Sequence, residues 1–267
     1  MTLESSPAKA HDNAKNECLL EPRELFAGEV IITTIDVDSL PGFREPFSSF
    51  SHLIAAVVFT GLTGLLVRRG RGDSGRVAAL AVFGFTSVFL LLMSSIYHMQ
   101  WPGASRDVME RIDVAAIFGL IAGTFTPTFA ILYRGSTRLI LLSIIWGTAV
   151  LGIAFRTIYF HSTSGWPGTG LFLAFGWIGI LSAWDLWKRY SFAFVQPLIW
   201  GGLAYSCGAV LLQFHWPTLV PRVLGPHELW HVAVLIGLSC HWCFVWQFAG
   251  QSLPACKSSE SKTPMTE

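Results

Sequence analysis

Polar and apolar residues are distributed unevenly along this chain. Up to about residue 42 it is polar and acidic on balance; after Arg44, apolar runs of about 17 to 22 residues follow one another near 49–68, 77–98, 112–133, 138–157, 168–187, 193–213 and 228–249. Each is long enough to cross a hydrocarbon core about 30 Å thick as a helix. The separators RRGRGDSGR, QWPGASRDVMER, YRGSTR, KRYS and HWPTLVPRVLGP, and the HSTSGWPG region, carry charge and turn residues. Backbone in lipid must satisfy its own hydrogen bonds, so the runs are predicted as helices. The pattern therefore predicts an all-α integral membrane protein. A seven-transmembrane-helix bundle would occupy 44–250, between a polar N-terminal tail (1–43) and a polar C-terminal tail (251–267). Pro127 and Pro197 fall inside two runs and are predicted to kink them.

Composition agrees with this pattern. The chain is 52% hydrophobic and 13% charged, with a mean hydropathy of +0.52, which sets it apart from a soluble domain of its length. A net charge of +1 and the lack of a long basic run argue against nucleic acid, leaving membrane lipids as the expected partners. The tail shows no charged segment followed by an apolar core, so no cleavable signal peptide is expected. Within it, EVIITTIDV reads as a short strand or an extended arm. The five cysteines are scattered and do not form a disulfide framework; Cys240 and Cys243, a C-x-x-C in an apolar run, are read as helix packing.

Ionisable residues in or beside apolar runs are the informative ones, because placing them there costs free energy. His98 ends the second run, Asp113 opens the third, and His227 and His231 open the seventh. Ser94 lies one turn before His98 on the same face. After two crossings or six the chain is back on its starting side, so these residues all lie near the membrane face of the N-terminal tail. Three histidines and a carboxylate there suit zinc, which takes imidazole nitrogens and keeps a fourth position open in catalytic sites. Asp113 would act on water at the metal as base or orienter. Each histidine taken alone is more often a hydrogen-bonding interfacial residue than a ligand; the i, i+4 pair and the shared face single these three out.

His52 also lies near that face and reads as a packing or supporting residue. His161 and His215 fall in loops on the same side, and His241 lies about 15 Å beyond His231 by helix rise. All four are left out of the metal site. Arg156 and Asp185 lie at run ends, where charged side chains snorkel to water. Trp166, Trp184, Trp187 and Trp216 fit an interfacial belt.

Residues 227–231, HELWH, spell the zinc-protease pattern H-E-x-x-H. A protease of that kind needs a third ligand, usually downstream, and Glu228 as base. No Asp or Glu occurs from 229 to 259, and His241 is badly spaced, so an intramembrane metalloprotease would have to recruit its ligand from upstream.

Three blocks read together carry a family resemblance: SSIYHMQ (94–100), IDVAAIFGLIAGTFTP (112–127) and GPHELWHVAVLIG (225–237). They resemble the hemolysin III family of bacteria, itself similar to the progestin and adiponectin receptors and more distantly to the alkaline ceramidases. A fourth block, REPFSSFSHL (44–53), resembles the family's approach to the first helix, with Ser48 where an asparagine is usual. Val114 is a further departure, standing where His or Tyr commonly follows the Asp. The resemblance implies a seven-helix bundle with zinc on His98, His227 and His231, a water bonded to zinc and to Asp113, Ser94 beside the site, and Glu228 as a neighbour of the ligands.

The leading expectation is a multipass membrane zinc protein with lipid amidohydrolase chemistry, in which Asp113 takes a proton and Ser94 helps hold the attacked carbonyl oxygen. The alternatives are a non-enzymatic membrane-lipid sensor or regulator with structural zinc, and a cytolysin or pore. The setting is a bacterial inner membrane. Orientation is read two ways. Arginines and lysines in the loops opposite the site place the tail outside, whereas the resemblance places it and the zinc site in the cytoplasm, which is the preferred reading.

Overall fold

The computed structural model describes residues 44–221 and 223–250; the tail readings for 1–43 and 251–267, EVIITTIDV among them, lie outside the described residues. Among the described residues the chain is helical apart from turns and an isolated bridge between Val220 and Leu224. Eight helices run in order: α1 (Pro46–Arg69), α2 (Ser74–Met99), α3 (Ala104–Leu132), α4 (Gly135–Ile158), α5 (Trp166–Trp177), α6 (Gly179–Arg189), α7 (Phe192–Phe214) and α8 (Pro226–Trp246). α5 and α6 are separated only at Ile178 and together form one span, so the described residues contain seven helices long and apolar enough to span a membrane. The protein is a multipass integral membrane protein.

Local signals explain where the helices begin and end. Proline occupies the first turn of α1, α5 and α8, where its missing N–H costs nothing. The Asp73 carboxylate accepts from the Arg76 backbone N–H (3.0 Å) and Ser191 Oγ from that of Phe194 (3.1 Å), satisfying donors at the starts of α2 and α7. Within the spans, Thr60, Thr63, Ser87 and Thr124 donate to carbonyls one turn back, so their hydroxyls carry no unmet demand into lipid. α3 and α7 continue through Pro127 and Pro197.

α3 begins at Ala104, about two turns before the apolar run at 112. Hydropathy detects the part of a helix that crosses lipid, while the polar turns that precede it are helical without being apolar. Asp113 therefore lies inside α3 rather than at its opening.

Consecutive helices pack as antiparallel neighbours, α1 on α2, α2 on α3, α3 on α4 and α7 on α8, while α8 returns to α1. The core gathers Leu80, Phe83, Leu91, Ala122, Phe125, Leu238 and Phe244. Without a hydrophobic drive between helices in lipid, close backbone approach matters. A Cβ at Gly84 of α2 would fall 2.0 Å from the Thr63 methyl of α1. The outer faces are apolar too: Val57, Leu151 and Leu181 are 69%, 72% and 73% exposed, as side chains that face acyl chains are. Trp166, Trp184, Trp187 and Trp216 are all exposed near span ends.

Candidate metal centre

His98 is on the last turn of α2, and His227 and His231 are on the first two turns of α8, four residues apart on one face. Seven alternating spans put these helix ends at the same end of the bundle, and the three rings meet there. One nitrogen from each lies within 4.8 Å of the other two, and the group could hold a metal ion. His227 Nε2 is 3.4 Å from His98 Nε2 and 3.1 Å from His231 Nε2. Three nitrogens on a tetrahedral zinc, each at about 2.0–2.1 Å, lie about 3.3 Å apart, so the two measured spacings fit the ion.

The other ring nitrogens of His98 and His231 are engaged in a way that leaves their Nε2 atoms free to converge with that of His227. Glu45, immediately before α1, places Oε2 at 2.5 Å from His98 Nδ1. A carboxylate only accepts, so Nδ1 carries the proton and Nε2 keeps its lone pair for a ligand. His231 Nδ1 lies 2.9 Å from a ring nitrogen of His52, which thus supports the His231 ring while staying outside the cluster. His98, His231 and His52 are each 2% exposed.

Glu45 is itself held in place. Arg106, in the first turn of α3, donates to Glu45 Oε1 (2.9 Å) and to the carbonyls of Tyr97 (3.1 Å) and Gln100 (2.8 Å) that end α2. Burial by itself raises the Glu45 carboxyl, but the His98 hydrogen bond and the charges of His98, His227 and Arg106 outweigh it and hold the group at about 2. The sequence reading missed Glu45, although it lies inside REPFSSFSHL. An acidic residue beside a proline in a polar stretch looks like ordinary interfacial surface.

Asp113 and Ser94 face each other across α3 and α2 within hydrogen-bonding reach. Both line one cavity of about 580 Å³ together with His52, His98, His227 and His231. The cavity continues between apolar side chains of α2, α3, α5, α7 and α8, including Leu90, Ile117, Phe172, Leu198 and Val234.

Glu228 is turned away from any such role. Its Oε2 accepts from the Gly225 backbone N–H (3.0 Å), closing the start of α8, and Ser48 Oγ approaches Oε1 at 3.5 Å. Ser48, the departure at the asparagine position, thus meets Glu228 and not the histidines.

His161 and His215 are exposed on loops, with His161 3.5 Å from an Arg111 nitrogen. Arg156 differs from the snorkelling expectation: it is 7% exposed and donates to the Phe160 carbonyl and to Thr163 Oγ1 (2.8 Å), because the turn after α4 folds back and supplies acceptors. Asp185 accepts from the Tyr133 hydroxyl (2.7 Å) and pairs with Arg189 (2.7 Å). Cys240 and Cys243 are free thiols on α8.

A seven-span helical bundle with three histidines gathered at one end of an internal cavity defines a class of multipass membrane proteins with a site able to hold a metal. Comparison with known proteins narrows the class. The model of the "Haemolysin-III related" family matches residues 42–242, and the chain belongs to that family. It is 30% identical to the "Hemolysin-3 homolog" of Bacillus subtilis (strain 168) over 184 residues, 69% of this chain and 81% of the relative. It is 31% identical to "Hemolysin-3" of Bacillus cereus over 196 residues, 73% of this chain and 86% of the relative.

Proposed function

We propose that the protein is a zinc-dependent membrane hydrolase of lipid amides, ceramide-like in its substrate class, with His98, His227 and His231 as ligands. The observation that supports this most is the convergence of three Nε2 atoms at one end of a cavity whose remaining walls are mostly apolar, with a carboxylate and a hydroxyl at the same end. When bound, zinc supplies Lewis acidity, which polarises a carbonyl and acidifies water.

The chain's own groups do the rest. Asp113 accepts a proton from the attacking water and returns it to the amide nitrogen as the C–N bond breaks. Ser94 orients that carboxylate and, once substrate displaces their contact, donates its O–H to the carbonyl oxygen. Glu45 and His52 hold the rings of His98 and His231 in register. The apolar walls take the acyl chains and keep bulk water away. Membrane lipids are then the substrates, nucleic acid plays no part, and the bacterial source of the relatives fits a location in the cytoplasmic membrane.

Elemental analysis of purified full-length protein, with mass spectrometry of ceramide and other N-acyl lipids incubated with it, tests this reading. Stoichiometric zinc with hydrolysis is expected. Asp113→Asn should keep the metal and lose activity by about 10²- to 10⁴-fold. Stoichiometric zinc without cleavage of any N-acyl lipid would leave the metal structural and the protein a sensor or regulator. The relatives carry the name hemolysin; for this chain, a bundle whose outer faces suit permanent residence in lipid, no leakage is expected from liposomes exposed to the purified protein.

A further inference from the structure

The cavity extends well past the three histidines, and its lining includes Tyr205 of α7 and His241 of α8. His241 comes ten residues after His231, about 15 Å further along the helix. The Tyr205 and His241 rings stack with centroids 5.6 Å apart and planes 21° from parallel. Two glycines make room for them. A Cβ on Gly201 would lie 2.8 Å from His241 Nε2, and one on Gly237 would lie 2.7 Å from the Tyr205 ring.

Beside this polar pair the wall is largely apolar, with Val195, Leu198 and Val234 among its residues. His241 is only 8% exposed, and its Nδ1 and the Tyr205 hydroxyl are buried without a hydrogen-bond partner among the described residues. Unpaired polar atoms in an apolar interior are costly, so a polar group brought along the cavity that both residues line gains by pairing with them.

The geometry points to Tyr205 and His241 as a second polar subsite, which receives a hydroxyl carried partway along the chain of a lipid whose head lies at the three histidines. A phenol and a neutral imidazole each donate and accept. A hydroxyl can donate to one while accepting from the other; a ketone only accepts, and a methylene does neither. An ion would find no counter-charge, because the charged side chains lining the cavity, Glu110, Asp113 and Arg156, belong to the first half of α3 and the last turn of α4, toward the histidine end. The subsite rests on the lipid reading of the cavity and deepens it, assigning the preferred substrates to lipids hydroxylated in mid-chain.

The test uses full-length protein in nanodiscs and competition against a fluorescent long-chain fatty acid. The competitors are octadecanoate, its mid-chain hydroxylated form, and the form hydroxylated next to the carboxylate. The mid-chain hydroxyl should improve binding about five- to tenfold, and the hydroxyl beside the carboxylate should add nothing. In Tyr205→Phe the mid-chain advantage should shrink below about twofold while octadecanoate still binds, which also shows that the variant is folded. Equal binding of hydroxylated and plain acids to the wild type would overturn the subsite and leave the lipid reading standing. A preference that survives in both Tyr205→Phe and His241→Leu would overturn it as well. Binding of none of the three acids would overturn the lipid reading, and the subsite with it.

Discussion

Both ends of the bundle bury arginines, and Arg76 at one end and Arg106 at the other are used differently. Arg76, at the end opposite the histidines, is 8% exposed and donates to the carbonyls of Phe248 (2.6 Å) and Gly250 (2.5 Å), just beyond α8. Arg69 lies over the Trp246 ring at 4.2 Å from its centroid. There the cations answer backbone acceptors that a helix end leaves over, while Arg76 Nε stays buried without a hydrogen-bond partner among the described residues. Arg106, equally buried at the histidine end, also answers carbonyls, but one of its donors goes to Glu45, and Glu45 passes the constraint to His98. The series ends in three ring nitrogens that face one another and not a donor. A buried charge network is structural when its contacts end on backbone acceptors; it prepares a site when it orders groups whose remaining valence points at one place.

Removing a ligand should break this contrast most sharply. His231→Ala is expected to lose the metal, with bound zinc falling from stoichiometric to near background by elemental analysis, while the opposite end stays intact by thermal unfolding of the metal-free wild type and variant. Next comes Glu45→Gln, which keeps shape and removes the charge that orients His98. Metal affinity should weaken about 10- to 100-fold in a chelator competition.

The low Glu45 value sets the sign of its pH dependence. The carboxylate anchor is fully present above the ordinary glutamate value of 4.5 and is lost only as pH falls through about 2.

Arg76→Met should separate the two ends from the other side. It leaves the last carbonyls of the α8 region without their donor and is expected to cost about 2–3 kcal/mol, read as a lower Tm, while folded protein keeps its metal. The smallest effect belongs to Glu228→Gln. A protease base would lose all activity on this change; a residue closing the start of α8 should lose about 1 kcal/mol of stability and leave zinc content unchanged.

Much of this molecule is legible in its linear pattern. Seven apolar runs specify seven helices, because lipid offers the backbone no other partner. The i, i+4 histidines and the parity of crossings bring His98, His227 and His231 to one end without any knowledge of packing. What stayed hidden depended on direction and neighbours. His52 and Glu45 are 179 and 53 residues from the histidines they support, and nothing local marks either. Glu228 sits between two ligands in sequence, yet its carboxylate curls back to its own helix start, since a residue beside a ligand on a helix points about 100° away from it. Arg156 looks interfacial until the following turn supplies its acceptors.

Sequence by itself determined the class of structure, the number of crossings and which histidines share an end, because these follow from transfer into lipid and from counting. Only the tertiary structure decided which nitrogen of His98 is free, which carboxylate orders it, and that a cavity joins the histidines to Tyr205 and His241. Those outcomes depend on ångström-scale distances between side chains from different helices, and a one-dimensional pattern carries no information at that scale.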